Sequence, residues 1–375
     1  MDTRLHALVV GAGPAGLAVA GSLRARGLAF ELLEKSRSLA ASWHGHYDSL
    51  RLHTDKRHSA LPGLPYPADY PRYVTKGQFL DYLKDYADRF HIRPRWGEEV
   101  VSARWEEGFW ELRTASDAYR ASNLVVATGH TARPNVPDIP GLDDSPLTVV
   151  HSSGYRNAVP YRGKRVLVVG FGNSAGEIAR DLYEGGASPT LAVRGPVNVV
   201  PKEFFGVPLL SVAVPFSLAP AAVVDAMSAP LIFAARGTLK GTGLEKPAYG
   251  PFTQAQKYGR VALIDTGIIP LMRQKRVPKM PGVARVDGHL VVFDDGSSER
   301  FDAMVLATGF RPNPQAIFPP DLDLFDEMGV PRAFGGTPAS QGLYFCGFHV
   351  VPTGMLREIS LEARKIGTRI AADAR

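Results

Sequence analysis

Cysteine is almost absent from these 375 residues: Cys346 stands alone. A single thiol can form neither a disulfide framework nor a Cys-x-x-Cys redox pair, which excludes flavin reductases that work through a dithiol and makes a reducing cytoplasm the expected compartment. Long runs of one charge are also lacking. Lys and Arg total 43 against 37 Asp and Glu, a net charge of +6 with both signs interspersed. That balance suits anionic cofactors, and no nucleic-acid-binding motif accompanies it. No secretory leader pattern is visible, since Met1-Asp2-Thr3-Arg4 leads straight towards an apolar strand. Between Phe204 and Ala235 the sole charge is Asp225, yet Pro208, Pro215, Pro220 and Pro230 divide the segment into pieces too short to span a bilayer. Buried helical pieces lining a cleft are expected there instead, without membrane contact. His44, His46, His53 and His58 match no common zinc spacing, and no metal is expected.

What is present is a weak internal repeat. Leu8-Val9-Val10-Gly11-Ala12-Gly13-Pro14-Ala15-Gly16 reads as a buried strand, a glycine turn and a helix start, and Leu167-Val168-Val169-Gly170-Phe171-Gly172-Asn173-Ser174-Ala175 reads the same way. A second pair, Val125-Val126-Ala127-Thr128-Gly129 and Val305-Leu306-Ala307-Thr308-Gly309, places small residues where a ligand needs close approach to backbone. Strands and helices alternating around glycine turns predict an α/β fold of two Rossmann-like dinucleotide-binding domains on parallel sheets. The order suggests that the second is inserted into the first. Residues 1–144 and 300–375 form the first domain, 145–299 the second, and the Pro-rich stretch from Arg133 to Pro140 is the crossover.

The first turn opens a helix expected over Pro14 to Arg24, and the next strand ends at Glu34, 23 residues after Gly11. An acid there bonds ribose hydroxyls while the helix N-terminus takes the pyrophosphate. Counting 24 residues from Gly170 reaches Arg194 instead. A guanidinium binds a 2′-phosphate that an acid would repel, so the second nucleotide is expected to be NADPH rather than NADH. Gly172 to Gly176 also spells the G-x-S-x-G elbow of hydrolases, for which Asp302 and His349 could complete a triad. Against it, Ala15 stands in the first copy where Ser174 stands in the second, and Ser174 is expected to bond a phosphate oxygen.

With Trp43, Tyr47-Asp48-Ser49-Leu50-Arg51-Leu52-His53, Thr75-Lys76-Gly77-Gln78-Phe79, Pro201-Lys202-Glu203-Phe204-Phe205-Gly206 and Ile264-Asp265-Thr266-Gly267 added to the two turns, the chain resembles the class B flavin-dependent monooxygenases over nearly its whole length. Within that group it is most similar to the YUCCA-like branch of the flavin-containing monooxygenases. The linker motif F-x-G-x-x-x-H-x-x-x-Y keeps His151 and Tyr155 but has Ser145 and Leu147 in place of Phe and Gly. The resemblance implies that NADPH reduces FAD and that a C4a-(hydro)peroxyflavin then delivers one oxygen atom of O2 to a small organic substrate. The outcomes it leaves open are N- or S-oxygenation, Baeyer–Villiger insertion and oxidative decarboxylation of a 2-oxo acid. It assigns Gly11, Gly13, Pro14, Ala15, Gly16, Glu34, Lys35, Trp43, Arg51, Thr128 and Gly129 to FAD. To NADPH it assigns Gly170, Gly172, Asn173, Ser174, Ala175 and Arg194, together with Lys202, Thr308 and Gly309. His53, where animal-type relatives carry an asparagine beside the flavin, is the one catalytic candidate. The competing function is an NADPH:acceptor reductase or oxidase without oxygen insertion.

Overall fold

The computed structural model describes residues 5–374. Its two principal sheets each contain five parallel strands. The first runs in the order Leu343–Phe345, Asn123–Val126, Ala7–Val10, Phe30–Glu34, Arg95–Trp96, and the second Lys279–Met280, Ser188–Ala192, Arg165–Val169, Ala303–Leu306, Thr148–His151. The near-continuous apolar runs of these strands follow from burial on both faces.

In each sheet, alternate residues of a central strand point to opposite faces. Ala7 and Val9 join a core with the helices Pro14–Arg24, Lys76–Arg89 and Met355–Asp373, whereas Leu8 and Val10 pack on a three-stranded antiparallel sheet through Ala103, Trp110 and Leu112. The second sheet repeats the plan. Val166 and Val168 meet Ile178 and Leu182 of the helix Asn173–Glu184, while Leu167 faces Val286, Val291 and Phe293 of another antiparallel sheet. Both faces of each parallel sheet are covered in this way, which is why polar residues are so few along its central strands.

Two expectations need correction. The domain boundary drawn at residue 300 falls too early, because Ala303–Leu306 pairs with Arg165–Val169 and Thr148–His151 in the second sheet. The return to the first sheet comes at Leu343–Phe345, beside Asn123–Val126. Second, Pro230 does not end a helix: Ala221–Arg236 is continuous through it. A proline there forfeits the hydrogen bond to the carbonyl of Ala226 four residues back, a loss one helical turn can absorb. Pro208 and Pro220, by contrast, stand at helix N-caps. The segment is also less buried than expected, with Leu218, Met227 and Phe233 exposed. Among the described residues no helix is long and apolar enough to cross a membrane.

Candidate active site

At the first turn the glycines divide into two kinds. Gly11 has φ +103°, and a Cβ there would stand 2.7 Å from the Ala127 carbonyl oxygen; a Cβ on Gly16 would stand 1.8 Å from the Gly11 oxygen. These two let the turn close on its own sheet. Gly13 has φ −80° and nothing within 4 Å of a Cβ. It needs no special backbone, so the space beside it is what its missing side chain preserves. Gly13 is also the N-cap of the helix Pro14–Arg24 and supplies no side-chain cap, so the first amides of that helix remain free for an anion. Glu34, buried at the strand end, accepts hydrogen bonds from the amides of Ala12 at 2.7 Å and Ser36 at 2.9 Å. It therefore braces the turn as well as facing the cavity.

The second turn repeats this geometry. Gly170 has φ +110° and its Cβ would meet the Ala307 oxygen at 2.5 Å, while Gly172 has open space and caps the helix Asn173–Glu184 without a side chain. The two Ala-Thr-Gly repeats thus share a purpose, since the alanine carbonyl of each abuts the first glycine of a turn. Gly11 bonds through its amide to Leu33, and Gly170 to Ala192. By that register Val193, not Arg194, is the counterpart of Glu34. Arg194 lies one residue further, exposed at the same edge. Thr308 donates to the Asn135 carbonyl at 2.5 Å, and the Gly309 carbonyl is bonded by the His151 ring at 3.0 Å, so this pair ties the crossover to the second sheet. Tyr155 of the linker donates to Asp181 at 2.6 Å.

A cavity of about 990 Å³ begins at the first turn. Gly11, Gly13, Pro14, Ala15, Glu34, Lys35, Trp43, Thr128 and Gly129 line its polar end; Gly16 and Arg51 do not. Gly16 is buried under the turn, and Arg51 is exposed. The other end is apolar, walled by Phe204, Leu210, Val224, Met227 and Leu231, and Asn173 reaches it from the second turn. Gly170, Gly172, Ser174, Ala175, Arg194, Lys202, Thr308 and Gly309 lie outside this lining. Ala175 is wholly in the core, and Lys202 sits 3.7 Å over the Tyr73 ring, where burial lowers its pKa.

His53 lines the cavity and stands 3.0 Å, through Nε2, from Oε1 of Glu177. The hydroxyl of Tyr47 donates to Oε2 of the same carboxylate at 2.5 Å. Glu177 is only 8% exposed. Burial pushes its pKa up, but the hydrogen bonds from His53 and Tyr47 outweigh this and hold it below the usual carboxylate range. Burial raises the Tyr47 hydroxyl far above its ordinary range, and the Glu177 charge adds to that. Ser174 is half-buried beside the Tyr47 hydroxyl, outside the cavity lining. Neither hydrolase partner reaches it: Asp302 accepts from the Arg165 amide at 2.8 Å, and His349 stacks on Phe334. Glu177 and Tyr47 escaped sequence reasoning. The available signal was a carboxylate four residues after Asn173, on the helix face otherwise formed by Ala175, Ile178, Ala179 and Leu182. Among the described residues no group of three or more His, Cys, Asp or Glu could hold a metal ion.

Residues 8–202 match the family described as pyridine nucleotide-disulphide oxidoreductase. The chain is 37% identical, over 91% of its length and 81% of the relative's, to the probable indole-3-pyruvate monooxygenase YUCCA3 of Arabidopsis thaliana. Among solved structures it resembles the flavin-containing monooxygenase from Stenotrophomonas maltophilia, with a TM-score of 0.74, 22% identity and full coverage of both chains. A steroid monooxygenase bound to NADP matches with a TM-score of 0.76 at 19% identity, over 99% of this chain and 85% of that one.

Proposed function

The chain belongs to the pyridine nucleotide-disulphide oxidoreductase family and, within it, to the flavin monooxygenases of the YUCCA kind, and on that premise we propose that it inserts one oxygen atom of O2 into a small apolar substrate held beside FAD. It is an oxidoreductase that uses FAD and NADPH. In this reading FAD occupies the first turn and NADPH the second, whose domain is inserted into the FAD domain between Val126 and Leu343. Bound FAD supplies the two-electron store at which O2 is activated.

The protein's own part is binding, orientation and exclusion of water. The free helix amides beside Gly13 receive the pyrophosphate, and Glu34 keeps acceptor capacity for a ribose hydroxyl beyond the amides it already bonds. At the second turn, Gly172 leaves the equivalent space open, and exposed Arg194 is free to swing onto a 2′-phosphate. Phe204, Leu210 and Val224 keep the far end dry. His53 stands on the shared wall as the group presented to the reacting atoms. The observation that carries the reading is one cavity running from the Gly13 turn into an apolar chamber past His53.

The test mixes the purified yellow protein with NADPH and isotopically labelled O2 while 2-oxo acids, ketones, amines and sulfides are screened for product. Label in a product is expected. Rapid NADPH oxidation that requires an added electron acceptor, with no labelled product, would establish the reductase instead.

A further inference from the structure

The buried carboxylate under His53 has a consequence for which proton the imidazole carries. We propose that Glu177 is a positioning residue that holds His53 as the Nε2–H tautomer, leaving Nδ1 as a bare acceptor facing the cavity. The inference rests on the reading of His53 as a cavity residue of a monooxygenase.

An ionised carboxylate can only accept hydrogen bonds. Glu177 meets His53 Nε2 at 3.0 Å and the Tyr47 hydroxyl at 2.5 Å, one on each oxygen. Tyr47 keeps its proton because burial and the neighbouring negative charge oppose its loss. Both oxygens are then occupied by donors, and the proton between Glu177 and His53 must sit on Nε2. Nδ1 makes no hydrogen bond among the described residues. A ring so fixed can take a proton at Nδ1 from the cavity and return it there, while Nε2 stays committed to Glu177. The geometry also explains why so polar a residue is buried on the helix Asn173–Glu184: removing it would leave a tyrosine hydroxyl and an imidazole N–H unpaired next to the core. Because that helix starts at the second glycine turn, the carboxylate spans the seam between the two sheets, reaching from Asn173's helix to the His53 loop.

Two measurements test this on the FAD-loaded enzyme. In the first, histidine is labelled with 15N and the His53 signals are identified by their loss in His53→Gln. The resting parent should show one protonated and one bare ring nitrogen, with the proton on Nε2, and Glu177→Gln should draw the two shifts together as the tautomers exchange. A parent His53 protonated at Nδ1, or shifts unmoved by Glu177→Gln, would overturn the proposal. The parent spectrum alone identifies the tautomer, even if the variant folds poorly.

In the second, the fraction of NADPH electrons lost as H2O2 is compared in Glu177→Gln, His53→Gln and the double variant. Each single change should raise it roughly five- to thirtyfold, the loss of about one oriented hydrogen bond. The double variant should match His53→Gln alone. Additive losses would make Glu177 merely structural. The first measurement needs no turnover, so a parent that yields no oxygenated product would refute the monooxygenase reading without touching the tautomer.

Discussion

The two kinds of glycine in the first turn predict opposite behaviour for substitutions three residues apart. Gly16→Ala forces a methyl carbon to 1.8 Å from the Gly11 carbonyl oxygen, inside a turn whose other wall is the sheet. Backbone must move, and overpacking of this severity costs about 3 kcal/mol or more. For a protein of 375 residues that is a fall in Tm of about 4 °C or more. Gly13→Val adds more bulk and meets nothing within 4 Å, at φ −80° and ψ −174°, a conformation that valine favours. Replacing glycine at such a position narrows the unfolded ensemble and gains about 0.4–1 kcal/mol. The apoprotein should therefore keep the parent Tm to within about 1 °C. Its methyl groups, however, occupy the approach to the free helix amides, where the pyrophosphate must lie. Thermal melts with and without added FAD, read beside flavin absorbance per protein, separate the cases. The parent should be yellow and gain Tm with FAD, by about 4 kcal/mol of stabilisation at a thousandfold excess over Kd. Gly13→Val should be colourless, with an FAD-independent melt at or above the parent apoprotein. A Gly13→Val protein that is as destabilised as Gly16→Ala, or that retains the parent flavin content, would refute the division.

Arg194→Ala removes the proposed partner of the 2′-phosphate, a charge-assisted contact worth about 1.5–3 kcal/mol. Steady-state kcat/KM for NADPH should fall about ten- to a hundredfold while that for NADH changes little, and equal losses with both would sink the assignment. His53→Ala should still bind FAD, and stopped-flow reduction by NADPH should change far less than the yield of H2O2, which rises roughly five- to thirtyfold at the expense of product; unchanged coupling would reduce His53 to packing. Glu177 is held below its usual carboxylate range in the fold, so its contribution to stability is present above the unfolded carboxyl pKa and is lost as pH falls through the depressed value. Melts between neutral and strongly acid pH should accordingly show a shallower acid-side loss in Glu177→Gln than in the parent, and identical slopes would contradict the depressed pKa.

Local pattern alone carried the two strand–glycine turn–helix units, the helix Pro14–Arg24 and the acid ending the next strand. It could do so because each depends on short-range physics. A central parallel strand must be apolar on both faces, and a tight turn under a carbonyl admits only glycine. The family was legible for the same reason, through several local motifs in sequence order. Which sheet claims Ala303–Leu306 was not legible, since an apolar strand carries no mark of its neighbours and only pairing with Arg165–Val169 decides it. The continuity of Ala221–Arg236 through Pro230 is likewise tertiary, because a single lost hydrogen bond is tolerated wherever the rest of the helix is supported. Above all, the site chemistry came from distance in the chain. Tyr47 and His53 lie 130 and 124 residues from Glu177, and nothing in their local sequence requires them to meet. Only folding the second sheet against the first brings one buried carboxylate between them, and only there does burial turn three ordinary residues into a fixed proton arrangement.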